Sequence, residues 1–274
     1  MTWSRGTAGL LAWAALSGLG AAVFVLLLPQ ARGDDLLAYW AVDPSHPYTL
    51  STSLQVLGSF DYSPPVAALF ALLHALPWDA VRAGWLAAQL VVLALIGRRW
   101  TLALLAFPPV TSDLLWGNID IFLAGMIVLG LRRPVAWLFG VLTKISPGIG
   151  LVWHAVRGEW RAVAASAVVL LAIVAASLWL QGPGIWLEWL DALGRLSRAP
   201  IPADALQVPL LPRAVAAVAL IAWGGFTGRR WTVPVAVVLA IHTLWLISFT
   251  PLIALIPLAR AGWADQASPE ITPR

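Results

Sequence analysis

The sequence predicts an all-α integral membrane protein, a polytopic helical bundle of roughly eight to ten membrane segments, some of them broken or re-entrant. Three observations carry that prediction. The 274-residue chain is 60% hydrophobic and 11% charged, where soluble domains carry about 25% charged residues. Its mean hydropathy is +0.84. Seventeen tryptophans exceed what a core needs, and tryptophan concentrates at membrane interfaces. The formal charge of +4 does not signal nucleic acid, because arginine falls in short pairs at the ends of apolar runs, where it sets topology. The chain has no cysteine, which excludes disulfides, zinc-thiolate sites and a cysteine nucleophile.

The segments follow in order. Residues 8–28 are apolar over a full span and end without a small-residue cleavage site, so they read as a retained first helix with Arg5 cytoplasmic. Residues 30–62 form an external loop. Residues 64–77 are apolar but short of a span, whereas 79–96 can cross and stop at Arg98, Arg99 and Trp100. Two apolar pieces, 102–107 and 121–131, flank the polar stretch PPVTSDLLWGNID. Keeping the pairs Arg98–Arg99 and Arg132–Arg133 on one side makes the unit between them a re-entrant hairpin. Residues 134–156 are apolar except for Lys144, with Pro147, Gly148 and Gly150 close behind: a broken helix at a site. Arg157 to Arg161 is a second cytoplasmic stop, and 162–180 is a clean span. It delivers the Trp-rich loop 182–209 to the outside. Residues 210–226 return to Arg229 and Arg230, 232–249 cross outward carrying His242, and a last short piece starts at Pro251. One domain thus covers 1–263, and the polar tail 264–274 is expected to be disordered.

Chemistry concentrates in the loop that opens at Gly33 and closes on Pro64 and Pro65. It begins with Asp34 and Asp35 and is dense in Tyr and Trp. A solvated acidic loop accounts for loop carboxylates in general. A pair directly after a first helix, at the membrane surface, also suits general-base work on an incoming hydroxyl. If LLAYW starts a short helix, its free backbone N–H groups lower the pKa of Asp35 while Asp34 faces water. Lys144, inside an apolar run, is costly and pairs with an anion: a phosphate, Asp113 or Asp120. Snorkelling is the alternative. Asn118 and Asp120 serve either as ligands or as the cap and first turn of the helix that follows. His242 is an intramembrane histidine, either a satisfied interior residue or part of a site.

Four motifs in order resemble one family. They are DLLAYW (Asp35 to Trp40), the Pro47-Tyr48 and FDYSPP elements (the latter Phe60 to Pro65), WGNID (Trp116 to Asp120), and FGVLTKISPGIGLVW followed by RGEWRA. Together they resemble the polyprenyl-phosphate-mannose-dependent mannosyltransferases, glycosyltransferase family 87 of the GT-C class. Residues 1 to 180 match well and the remainder loosely. The chain is shorter than most members, Asn118 stands where many have Gln, and His242 has no assured counterpart. The resemblance implies a GT-C-type bundle in a bacterial plasma membrane, with its active site extracytoplasmic. Asp35, beside Asp34, would be the catalytic base in an inverting transfer of mannose from a polyprenyl-phosphate donor to a lipid or glycan hydroxyl. Lys144, Tyr39, Tyr62, Asn118, Asp120 and His242 would bind substrate, with membrane lipids as further partners and no metal, nucleotide or other cofactor. Such a donor needs an intramembrane groove, a cation near the surface and an external carboxylate. Two other classes compete: a polytopic transporter or flippase, and a non-catalytic membrane partner related to the transferases.

Overall fold

The structure is a computed structural model that describes residues 5–30, 32–51 and 58–259. The expected tail 264–274 and the middle of the first external loop lie outside the described residues. Among those described, helices dominate, and the only extended pairing is one bridge between Leu206 and Leu244.

Four helices are long and apolar enough to cross a membrane by length and composition. They are α1 (Arg5–Leu27), α4 (Trp78–Gly97, continued by α5, Thr101–Leu104), α10 (Trp160–Gln181) and α12 (Leu210–Thr227). The most apolar windows of α1 and α10 are only 11% buried inside the protein, so these two helices present their sides to lipid. Between α1 and α4 lie α2 (Asp34–Trp40) and the short apolar α3 (Pro64–Ala71).

The remaining apolar pieces are short helices joined at irregular tips. The first pair is α6 (Pro108–Trp116) and α7 (Asp120–Gly130), bent by 113° across its break. Prolines at the first two positions start α6, where a missing N–H costs nothing. Gly117 ends it in the left-handed conformation (φ 72°), and a Cβ there would come within 2.7 Å of Leu36. Only glycine meets both demands.

The second pair is α8 (Trp137–Lys144) and α9 (Gly150–Val156). Trp137 fills the space that a side chain at Gly130 or Gly150 would take, which lets the two arms close on each other. The break follows Lys144 at once. Ile145 has φ 55°, a conformation that a β-branched residue holds only at a cost of about 1–3 kcal/mol.

The third pair corrects an expectation. Residues 232–249 do not form one span: α13 (Thr232–Ala240) stops, residues 241–245 are irregular, and a 3-10 stretch, Leu246–Ala254, turns back against α6 and α7. His242 therefore lies in a turn rather than inside a span. The cause is Arg213, buried in the first turn of α12. Its guanidinium donates to the carbonyls of Leu239 (3.0 Å), Ile241 (2.7 Å) and His242 (2.8 Å). These carbonyls, orphaned at a helix end, find a cation instead of another turn of N–H groups.

The amphipathic α11 (Pro183–Arg198) buries Ile185, Trp189, Ala192 and Leu196 and joins the first external loop. Trp189 Nε1 donates to the Asp61 carbonyl (3.1 Å) and Arg195 Nε to the Ser51 carbonyl (3.3 Å). The two expected external loops are thus one packed layer.

Candidate active site

The three hairpin tips converge on a cavity of about 530 Å³. Its lining includes Asp35 and Tyr39 from α2, Asp61 and Tyr62 from the loop, Asn118, Lys144 and His242 from the tips, and Leu193 and Leu196 from α11. Asp34 does not line it.

A continuous polar chain crosses its wall. Asn118 Nδ2 donates to Asp35 Oδ2 at 2.6 Å. Lys144 Nζ donates to Asn118 Oδ1 (3.3 Å) and pairs with Asp120 Oδ1 (2.6 Å). Four residues separated by up to 109 positions meet here because two tips and α2 share one corner. Of the partners open to Lys144 in the sequence, the protein supplies Asp120. Asp120 is fully buried while the lysine side chain keeps 19% exposure, so the cation faces the cavity from an anchored base.

Of the two roles open to Asn118, it is not the cap of α7: the residue before that helix is Ile119, and the cap comes from the preceding helix. The buried Asp113 accepts the Ile121 N–H at 2.6 Å. Gln89, in the middle of α4, donates to the Asp113 carboxylate (3.0 Å) and to the Asn118 carbonyl (2.8 Å). The Asn118 amide nitrogen serves Asp35, while its Oδ1 accepts from both the Ile119 N–H (2.7 Å) and Lys144.

Asp35 sits in the first turn of α2, as expected, but its acidity runs the other way. Burial pushes its pKa up, against the opposing pull of the Asn118 hydrogen bond and of Lys144. Gly33, the residue before the helix, carries no side chain to cap it, and the desolvation of a mostly enclosed carboxylate outweighs the backbone donors.

Tyr39 and Tyr62 share a 2.7 Å hydrogen bond between hydroxyls, and Tyr39 stacks on Phe70 at 5.0 Å. They build an aromatic wall with Phe60 and Trp85. His242 Nδ1 lies 3.0 Å from Thr243 Oγ1, at the cavity edge opposite in sequence from the acidic loop.

Two contributors escape a reading of the sequence: Gln89 and Arg213. Each is a polar side chain inside an apolar run, and that cost in a membrane is itself the available signal. His154, to which the sequence assigns nothing, is a satisfied interior residue. Its Nδ1 bonds Glu159 (2.6 Å) and its Nε2 accepts from Trp137 Nε1 (3.2 Å). Among the described residues no group of three His, Asp or Glu side chains is placed to hold a metal ion.

Long apolar helices beside a cavity formed at the tips of broken helices define a polytopic membrane protein with a reaction or binding chamber. The sequence model of glycosyltransferase family 87 matches residues 60–266, three quarters of the chain. The chain belongs to that family and is a membrane glycosyltransferase. No curated protein and no solved structure matches it.

Proposed function

We propose that this glycosyltransferase moves a hexose, mannose by the motifs it carries, from a polyprenyl-phosphate donor to a lipid or glycan hydroxyl on the extracytoplasmic side of a bacterial plasma membrane. Asp35 is the general base. The acceptor hydroxyl gives its proton to the Asp35 carboxylate as its oxygen attacks the anomeric carbon. The bond from that carbon to the phosphate oxygen breaks, and configuration inverts. Polyprenyl phosphate leaves as an anion, so the step calls for no proton donor. Asn118 holds one carboxylate oxygen of Asp35 and aims the base, while burial makes that base stronger. Lys144 has three N–H donors, of which Asn118 and Asp120 take two. The third meets the donor phosphate as a charge-assisted hydrogen bond. The apolar rim given by Leu193, Leu196, Leu210 and Ile247 suits the first isoprene units.

The observation that carries this reading is the chain Asp35–Asn118–Lys144–Asp120 on one wall of an open cavity. A base and a cation are held there at fixed separation by a shared amide. The test is transfer of labelled mannose from a lipid-phosphate donor by membranes containing the protein. Lipid-linked or glycan-linked label supports the reading. Movement of intact donor across the bilayer without transfer indicates a flippase, and neither activity in a folded protein indicates a non-catalytic partner.

A further inference from the structure

The cavity holds a second carboxylate that the proposed transfer does not use. Asp61 comes from the segment 59–63, and this segment is clamped along its backbone. Ser51 Oγ donates to the Phe60 carbonyl (2.8 Å), Trp189 Nε1 to the Asp61 carbonyl (3.1 Å) and the Tyr48 hydroxyl to the Tyr62 carbonyl (2.9 Å). Ser63 then bonds the Leu142 carbonyl through both its N–H (3.1 Å) and its hydroxyl (2.7 Å). Three successive carbonyls are fastened by side chains from two segments, the preceding part of the loop and α11. None of these bonds involves the Asp61 carboxylate, so that group is not what holds the loop.

Apart from Asp35, the proposed base, three acids near the cavity or in the loop have structural work. Asp43 closes a turn on the Ser45 N–H, Asp113 caps α7, and Asp120 neutralises Lys144. Asp61 pairs with no cation among the described residues. Its side chain is aimed by Ser59, whose hydroxyl donates to Asp61 Oδ1 at 2.8 Å, with the Ser51 hydroxyl as a second hydrogen-bonding neighbour. A carboxylate accepts only, and its two oxygens bear about four acceptor sites. Held rigidly in the cavity with no cation paired to it, it is matched to neutral donors in adjacent pairs, which are the hydroxyls of a sugar.

We propose that Asp61 is the sugar-reading residue of this site, accepting hydrogen bonds from hydroxyls of the hexose being transferred. Ser59 positions it. The proposal rests on the glycosyl-transfer reading above, and it makes Asp61 a determinant of donor specificity rather than of the chemical step.

The experiment compares wild type with Asp61→Asn and Ser59→Ala. The substrates are a polyprenyl-phosphate hexose and a set of analogues, each lacking one hydroxyl of that hexose. In the wild type, loss of the hydroxyl that Asp61 holds lowers kcat/KM by about 10- to 100-fold, the worth of a hydrogen bond to a charged group. In Asp61→Asn the parent donor loses a similar factor, carried mainly by KM, and the same analogue then loses little more. Ser59→Ala, which keeps the carboxylate, shows a smaller loss with the same analogue dependence. Size exclusion and thermal unfolding establish that each variant is folded, and the wild-type analogue series reads the site even if Asp61→Asn is not. Equal sensitivity of Asp61→Asn and wild type to every analogue overturns the proposal and leaves the transfer reading standing. A wild type indifferent to every missing hydroxyl does the same. Loss of kcat at unchanged KM overturns it by making Asp61 part of the chemistry. A wild type that transfers nothing overturns both.

Discussion

Lys144 and Asp120 illustrate how a single pair sets the character of the site. Breaking a buried pair from one side leaves an uncompensated charge, which costs about 3–5 kcal/mol. Lys144→Met is therefore expected to lower thermal stability by that amount as well as donor use, because Asp120 is fully buried. Adding Asp120→Asn to Lys144→Met should recover most of the stability and none of the donor use. A Lys144→Met protein as stable as wild type shows that the pair is not buried in the membrane-bound molecule. The base at Asp35 makes a prediction of its own in pH. Its pKa is raised by burial, so the folded state holds this proton at pH values where an unfolded chain has lost it. The group's contribution to stability hence falls as pH rises from the ordinary carboxylate range, about 4, through the raised value. Activity moves the opposite way, since only the ionised form accepts a proton. The acid limb of kcat/KM should lie above the ordinary carboxylate range, and Asn118→Ala, which deletes a bond favouring the charged form, should move it further up. An acid limb at or below pH 4 contradicts the burial of Asp35.

At the scale of elements, the tips matter more than the helices. Irregular backbone at membrane depth persists only where its polar groups are met by protein or line a wet cavity, and all three tips do both. Arg213 makes the third tip. Arg213→Gln should cost about 3 kcal/mol in thermal unfolding, because the carbonyls of Leu239, Ile241 and His242 lose a charged donor together. An unchanged melting temperature would show that α13 ends for another reason. Proline pairs and the glycine and proline after Lys144 made the first two tips legible in the sequence. The third was hidden: residues 232–249 contain no Gly, and the break depends on an arginine nearly thirty positions away. The candidate residues were similarly half legible. Asp35, Asn118, Lys144 and Asp120 stand out one by one as polar groups in costly places. That Asn118 bridges Asp35 to Lys144 could not be read, because the contact is made by folding and no periodicity encodes it. The acidity of Asp35 is hidden for a related reason: its place at a helix end shows only the backbone donors of a short helix, whereas the enclosing loop and tips decide the desolvation.

For the whole molecule, the chamber lies at one end of the long helices, and the arginine pairs after α4, α7 and α12 lie at their other ends. The positive-inside bias then agrees with the proposed extracytoplasmic position of the chamber. With no native cysteine, single probes read this cleanly: Ala203→Cys should label from the extracytoplasmic side and Arg161→Cys from the cytoplasmic side. Labelling of both from one side contradicts the arrangement. The family match spans the three hairpins and α11 and so covers the chamber apart from Ser59 and the residues that α2 contributes, Asp35 among them. What makes it a transferase site, on this account, is one base. The most direct measurement is turnover of Asp35→Asn and Asp34→Asn in the same membranes, with equal expression and donor binding. Asp35→Asn should lose about 10²–10⁴-fold, while Asp34→Asn, outside the cavity lining, should stay near wild type. Near-wild-type turnover in Asp35→Asn, or an equal loss in both, would contradict the account.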